Sequence, residues 1–166
     1  MTVLYCMKCT FQRPNYFKGE LCPKCGSYLK YVEAAAKSTT IKLYKAGLHV
    51  SYAVAEIYDF ANEALHTTNV YFGFIKPYES IVFRNLPAGY DYTLPKDFTK
   101  DFYERIPVAH VVSPMHTYGV LRYEADYLDR AEAKTSLRKK LKELDSWIDE
   151  AVADGWLSIC NLGGML

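Results

Sequence analysis

Cys6-Met7-Lys8-Cys9 and, twelve residues further on, Cys22-Pro23-Lys24-Cys25 form two matched Cys-x-x-Cys pairs near the start of the chain. Two thiolates three residues apart can share one zinc ion, and a hairpin can fold a second pair back to complete a tetrahedral shell of four sulfurs, each bonded at roughly 2.3 Å. The intervening segment is long enough for two short strands and a turn. The pattern therefore predicts a zinc ribbon in which Cys6, Cys9, Cys22 and Cys25 hold one structural Zn2+ ion per chain.

A tight turn directly after each pair brings backbone N–H groups to face sulfur, and this favours a residue that is free to take positive φ. Gly26 follows the second pair, whereas Thr10 follows the first, so we expect the first knuckle to be the less relaxed one. Two other interpretations of the cysteines are a redox dithiol and two disulfides in a secreted domain. We favour structural zinc because the pairs match each other and no βαβ pattern surrounds either of them.

The chain has 166 residues, of which half are hydrophobic and 23% are charged, and this is the composition of a globular protein. Its first five residues show neither the basic nor the apolar segment of a secretory signal. No apolar run approaches the roughly 18 residues that span a bilayer. These features predict a cytoplasmic protein that does not contact a membrane, in which metal rather than oxidation holds the thiolates.

Charge is distributed unevenly along the chain. Residues 1–32 carry five basic side chains against one acidic side chain, a net charge of +4, while the remaining fifteen basic and eighteen acidic residues give −3. A basic end favours nucleic acid or an acidic protein surface as a partner, although it is also ordinary for a solvated hairpin. The candidate partner-binding residues are Lys8, Arg13, Lys18 and Lys24.

The remainder of the chain predicts an α+β fold in which a long C-terminal helix packs on a mostly antiparallel sheet. We place the domain boundary between a zinc ribbon at 1–32 and an α+β domain at 33–166. A helix is expected to end at Gly47, and a polar loop or a single helical turn is expected between Tyr58 and Thr67. Alternating or β-branched segments predict strands at 48–54, 70–75, 80–84, 106–113 and 119–123.

The C-terminal helix has the clearest pattern. Apolar residues recur at spacings of four and three, at Leu137, Leu141, Leu144, Ile148 and Ala151. This seam is shorter than the about three or four heptads of a free coiled coil, so we expect it to pack on the sheet. A homodimer through Leu137, Leu141, Leu144 and Ile148 is the alternative.

The chain carries none of the glycine-rich or nucleophile motifs that mark common nucleotide-binding and hydrolytic sites. Its histidines are His49, His66, His110 and His116, and none is at metal-ligand spacing with another. Cys160 lies in an apolar segment typical of a buried, inert thiol. We therefore expect no enzyme, since an enzyme would need His110, His116 and Cys160 to converge in one cleft.

Another class of function is the binding of a small molecule or nucleotide. Such a protein would use a pocket between the sheet and the C-terminal helix, with His49, Tyr52, Tyr71 and Arg84 as the ligand-binding candidates. Tyrosine is enriched, with fifteen in all. Its rigid apolar ring and polar tip suit interfaces and half-wet surfaces.

Several segments together resemble a family of small proteins from bacteriophages and their Firmicutes hosts that carry an N-terminal four-cysteine ribbon. Besides the cysteines, the matching segments are 43–47 (Leu-Tyr-Lys-Ala-Gly), the strands at 49–52 and 70–74, and 86–90 (Leu-Pro-Ala-Gly-Tyr). Where the family carries Cys-Ser-Gly-His, this chain has Ala53-Val54-Ala55-Glu56-Ile57, so no role of that motif carries over. The resemblance implies a phage-type accessory protein without catalytic activity. Together with the basic ribbon, it leads us to expect a protein that binds and modulates a host protein or nucleic acid in the host cytoplasm.

Overall fold

A computed structural model describes residues 2–14, 21–59, 64–97 and 118–166, and it confirms the predicted α+β fold. Within these ranges seven strands form one sheet. The strands are β1 (Thr2–Tyr5), β2 (Gln12–Pro14), β3 (Lys30–Glu33), β4 (Val50–Asp59), β5 (His66–Phe74), β6 (Asp91–Thr93) and β7 (Gly119–Tyr127). The helices are α1 (Lys37–Lys45), α2 (Arg130–Ala153) and α3 (Trp156–Leu162).

The strands follow the order β2-β1-β3-β4-β5-β7-β6, and every neighbouring pair is antiparallel except β3 and β4. The parallel pair is connected through α1, because a parallel return needs a crossover rather than a tight turn. The ribbon strands β1 and β3 are therefore hydrogen-bonded into the main sheet across the expected boundary at residue 32. The division of the chain into two domains stays a prediction.

Side chains alternate in direction along the central strands, so the buried residues form one cluster on each face of the sheet. The helix-covered face includes Ala53 and Ala55 of β4, and the helices pack their buried apolar side chains against it. The opposite face, which we call the knuckle face, carries the cluster that contains the ribbon. Its buried residues are Leu4, Cys6, Cys22, Leu29, Tyr31, Tyr52, Val54, Tyr71 and Val120.

The long helix α2 packs as its apolar seam predicts. It begins after an Asp129 cap, whose carboxylate accepts the amide of Ala131 at 2.8 Å. Leu144 and Ile148 are buried, and the other seam residues pack against the same core. Packing on the sheet thus covers part of the surface that a homodimer would use, and the dimer stays a prediction.

One predicted strand is wrong. Residues 80–84 form a 3-10 turn at Ser80–Phe83 instead. Val82 and Phe83 are consecutive and both buried. A turn can direct two consecutive side chains into one core, whereas a strand sends them to opposite faces.

The loop predicted between Tyr58 and Thr67 is wrong at its two ends, since β4 continues to Asp59 and β5 begins at His66. Residues 60–63 of this segment lie outside the described residues. The apolar C-terminal segment that carries Cys160 contains α3. The strand predicted at 106–113 lies outside the described residues. None of the helices in the described ranges combines the length and the apolar character that crossing a membrane requires.

Candidate metal centre

The four ribbon cysteines come together at one point. All four Sγ atoms lie within 4.8 Å of one another. The Sγ atoms of Cys6 and Cys25 are 3.5 Å apart, and those of Cys9 and Cys22 are 3.4 Å apart. A tetrahedral ion with bonds of roughly 2.3 Å needs sulfurs about 3.8 Å apart. The arrangement can therefore hold a metal ion in the predicted four-sulfur shell.

Both Cys-x-x-Cys segments fold into the same turn. The amide of Thr10 donates to the carbonyl of Cys6 at 2.9 Å, and the amide of Gly26 donates to the carbonyl of Cys22 at 2.8 Å. Thr10 has φ 62° and Gly26 has φ 72°, so both occupy the left-handed region. A β-branched residue meets a steric penalty there that glycine does not. The first knuckle is accordingly the more strained of the two.

Hydrogen-bond donors that lie two residues after each Cys-x-x-Cys pair lower the pKa of the thiol that ends the pair, Cys9 or Cys25. Hydrogen bonds from the hydroxyl and the amide of Ser27 lower the pKa of Cys25 to about 6. At Cys9 the Phe11 amide also lowers the pKa, but burial and hydrogen bonds among the thiols outweigh it and raise the pKa to about 12. A cation shared by the four sulfurs stabilises every thiolate, so metal binding releases the protons that remain.

Burial separates an inner pair of ligands from an outer pair. Cys6 and Cys22 are buried in the core of the knuckle face, while Cys9 and Cys25 are half-buried. Four sulfurs fill a tetrahedral shell and leave no position for water or substrate, which is the arrangement of structural zinc sites rather than catalytic ones. A metal ion held here would cross-link residues 6–9 and 22–25.

The candidate partner-binding residues lie in different surroundings. Lys8 and Lys24 occupy the same position in the two knuckles, and both are exposed. Arg13 instead lies on β2 opposite Leu4, with its Nε atom buried. Lys18 is outside the described residues. The structure thus brings two of the four candidates together at the metal centre.

Apolar side chains accompany the two lysines. The Lys24 ammonium lies 5.7 Å from the centre of the Phe11 ring. Leu21 and Tyr28 form an isolated β-bridge beside the second knuckle, and their side chains are 54% and 63% exposed. We call the set Lys8, Phe11, Leu21, Lys24 and Tyr28 the ribbon surface.

The ligand-binding candidates do not form one site. Tyr52 and Tyr71 are buried neighbours on the knuckle face, which is the side away from the helices. His49 stands just before β4, with its ring stacked on Tyr44 at a centre-to-centre distance of 4.8 Å. Arg84 is exposed and its guanidinium lies 3.7 Å from the centre of a tryptophan ring on α3. No two of these residues meet between the sheet and α2.

The residues considered for catalysis give no assembled site within the part of the chain that is described. Cys160 is fully buried on α3, and burial raises the pKa of its thiol. His110 and His116 lie outside the described residues. His66 pairs through Nδ1 with Asp59, 2.5 Å away, at the exposed end of the β4–β5 hairpin.

Sequence reasoning missed several residues of the metal centre and its surroundings. Phe11 and Ser27 act on the thiols, and their shared position two residues after each second cysteine is the signal that would have identified them. Leu21 and Tyr28 give the ribbon its apolar exposed surface, and no local pattern distinguishes them from core residues.

No protein-family model, curated protein or solved structure matches this chain. The resemblance to small phage and Firmicutes proteins stays a prediction.

Proposed function

We propose that this protein is a non-enzymatic, zinc-stabilised binding protein of the phage accessory type, and that its ribbon surface binds single-stranded nucleic acid in the host cytoplasm. The observation that supports this most directly is the pair of exposed lysines, Lys8 and Lys24, at equivalent positions around one four-sulfur cluster. A fully ligated metal provides rigidity and no reactive position. The centre is therefore suited to presenting a surface and not to turning over a substrate.

Zinc is the metal we propose for the cluster. Tetrahedral four-thiolate shells take zinc or iron, and zinc fits a purely structural role. Elemental analysis of the purified protein should find about one zinc per chain. Cys22→Ser should lower that content, while the matched Cys160→Ser variant should keep it because Cys160 is remote from the cluster in the fold. Iron in the cluster, or equal zinc content in both variants, would contradict the assignment.

The ribbon surface has the composition that single-stranded nucleic acid requires. Lysines neutralise phosphates, while exposed rings such as that of Tyr28 offer a face on which a base can stack. The Lys24 ammonium lies near the Phe11 ring and forms no ion pair with a carboxylate among the described residues. This charge is therefore available to an anion.

Salt dependence tests nucleic-acid binding directly. A fluorescent single-stranded oligonucleotide should bind more weakly as salt increases, with a slope of about −0.7 in log K against log salt for each phosphate contacted. The double variant Lys8→Gln/Lys24→Gln should flatten this slope by about 1.4. Lys134→Gln, an exposed lysine of α2, serves as the control and should leave it unchanged. Binding that ignores salt, or a control variant that weakens binding equally, would remove this proposal.

A host protein is the second candidate partner, favoured by the exposure of Leu21 and Tyr28. Tyrosine is enriched among the residues that anchor protein interfaces, and a protein partner would cover this apolar area. Affinity capture with and without nuclease distinguishes the two partners. A protein that stays bound after nuclease treatment, and is lost with Tyr28→Ser, would favour the second candidate; loss of all captured material with nuclease would favour the first.

A further inference from the structure

A shallow basic groove lies on the outer side of α1 and of the 3-10 turn (Ala34–Ala36) that leads into it. Its lining residues recur at spacings of three and four, so they share one side of the helical segment. The opposite side of the segment is buried at Ala36, Thr39, Thr40 and Leu43. We call this groove of about 530 Å³ the α1 groove, and its lining residues are Ala34, Lys37, Ser38, Ile41, Lys42 and Lys45.

The lysines of the α1 groove carry more positive charge than the neighbouring carboxylates neutralise. Lys42 is paired, since its ammonium lies 2.7 Å from both carboxylate oxygens of Asp149 on α2. Lys37 instead donates to the neutral side chain of Gln12 at 2.7 Å. Lys45 is exposed, and neither it nor Lys37 forms an ion pair with any described residue. The charges of these two lysines are therefore available to an anionic partner.

The α1 groove meets the ribbon at β2, which is an edge strand of the sheet. Gln12, the first residue of β2, holds the Lys37 ammonium and directly follows Phe11 of the ribbon surface. Gln12 is in register with Tyr5 of the helix-covered face, and the Lys37 ammonium lies 4.8 Å from the centre of the Tyr5 ring. Phe11 packs against the cluster of the knuckle face. The α1 groove and the ribbon surface therefore lie on opposite faces of the sheet at the same edge.

We propose that the α1 groove binds the phosphate backbone of the single-stranded nucleic acid that binds the ribbon surface, so that one strand passes around β2. This inference rests on the function proposed above. Lysine binds phosphate as a point charge. Lys37 and Lys45 are separated by about 12 Å along the helix, so they contact different phosphates. The lining has no aromatic ring on which a base could stack, and the contact is therefore independent of sequence.

The test compares oligonucleotides of two lengths on the full-length, zinc-loaded protein. Fluorescent single strands of about 4 and about 16 nucleotides are titrated at several salt concentrations. For the long strand, Lys37→Gln/Lys45→Gln should flatten the slope of log K against log salt by about 1.4. The short strand cannot contact both surfaces and should bind at the ribbon surface, where bases can stack. Its slope should therefore stay unchanged in this variant.

Two control variants separate the charge of the groove from other effects. Lys37→Arg/Lys45→Arg keeps both positive charges and should keep the slope of the parent chain, whereas a purely structural role of the lysines would not be rescued in this way. Lys134→Gln/Lys142→Gln removes two exposed lysines of α2. This second control should leave the slope unchanged for both strands.

An unchanged slope for the long strand in Lys37→Gln/Lys45→Gln would overturn the inference, as would an equal loss of slope in the α2 control. A poly-glutamate peptide that binds more tightly than the long strand, and that this groove variant releases, would assign the groove to an acidic protein and would also overturn it. Failure of the proposed function appears in a separate measurement. In that case Lys8→Gln/Lys24→Gln would leave the slope of the short strand unchanged, whatever the groove variant does.

Discussion

Replacing Tyr52 by phenylalanine should make the protein more stable. Tyr52 is 2% exposed on the knuckle face, and its hydroxyl has no hydrogen-bond partner among the described residues. Burial raises the pKa of this hydroxyl, which keeps it protonated and neutral at neutral pH. Phenylalanine keeps the ring that packs over Gly73 and removes only the polar atom.

The size of the gain follows from the cost of the buried hydroxyl. An unsatisfied buried polar group is unfavourable by about 1–3 kcal/mol. Removing the oxygen also leaves a small void, so we expect a net gain of about 1 kcal/mol in the free energy of unfolding. For a chain of this length that corresponds to a rise of about 2–4 °C in melting temperature.

Tyr71 provides the matched control. It is buried in the same cluster, but its hydroxyl donates to Glu124 Oε2 at 2.5 Å. Tyr71→Phe removes a hydrogen bond to a carboxylate, so it should lower the free energy of unfolding by about 1.5–3 kcal/mol. The same deletion of one oxygen is thus expected to act with opposite sign at two neighbouring positions.

Urea unfolding of zinc-loaded protein measures both variants against the parent chain. The midpoint should rise for Tyr52→Phe and fall for Tyr71→Phe, while the dependence of the free energy on urea stays the same in all three proteins. If Tyr52→Phe lowers the midpoint as Tyr71→Phe does, then the Tyr52 hydroxyl has a partner such as bound water, and the reasoning is refuted.

Three further predictions test the ribbon and the sheet. Thr10→Gly should raise the free energy of unfolding by up to about 1 kcal/mol, because glycine relieves the left-handed strain at φ 62°. Gly26→Ala should lower the free energy of unfolding by about 1 kcal/mol. Thermal unfolding of the zinc-loaded proteins compares the two variants, and a loss of stability with Thr10→Gly would contradict the strain. Gly73→Ala should lower the free energy of unfolding by about 1–3 kcal/mol, because the new Cβ would lie 2.1 Å from the Tyr52 ring. The same substitution should cost less stability in a Tyr52→Ala background. An unchanged loss of stability there would show that the Tyr52 ring is not responsible. Removing zinc with a chelator should lower the melting temperature of the parent chain more than that of Cys22→Ser, which has already lost a ligand, and an equal fall in both would argue against a metal-held ribbon.

The clustering of the four ribbon cysteines could be predicted from sequence because its chemistry is local. Cysteine pairs at fixed spacing restrict the fold through bond lengths and ligand number alone, and the four Sγ atoms meet as that spacing requires. The long helix α2 could be predicted for a similar reason, since a period of three and four residues is a property of one segment.

The rest depends on strand order and on partners distant in sequence. Thr67 and Thr68 appear polar and loop-like, yet both are buried in β5, where Thr67 donates to Asp126 and Thr68 donates to the carbonyl of Ala133. Their partners lie about sixty residues away in the sequence. No local pattern could therefore show that the buried hydroxyls of these threonines find hydrogen-bond partners.

The parallel junction between β3 and β4 is short. Two residue pairs register it, Tyr31 with Tyr52 and Val32 with Ala53, whereas nine pairs register β4 against β5. We therefore expect β1, β2 and β3 to detach as one cooperative unit before the central strands unfold. In native-state hydrogen exchange, the amides of this unit should exchange through a partial opening whose free energy rises with zinc concentration, while the amides of β5 report global unfolding. A bound metal ion would then stabilise β1, β2 and β3 against this partial opening and leave the stability of the central strands to their own packing.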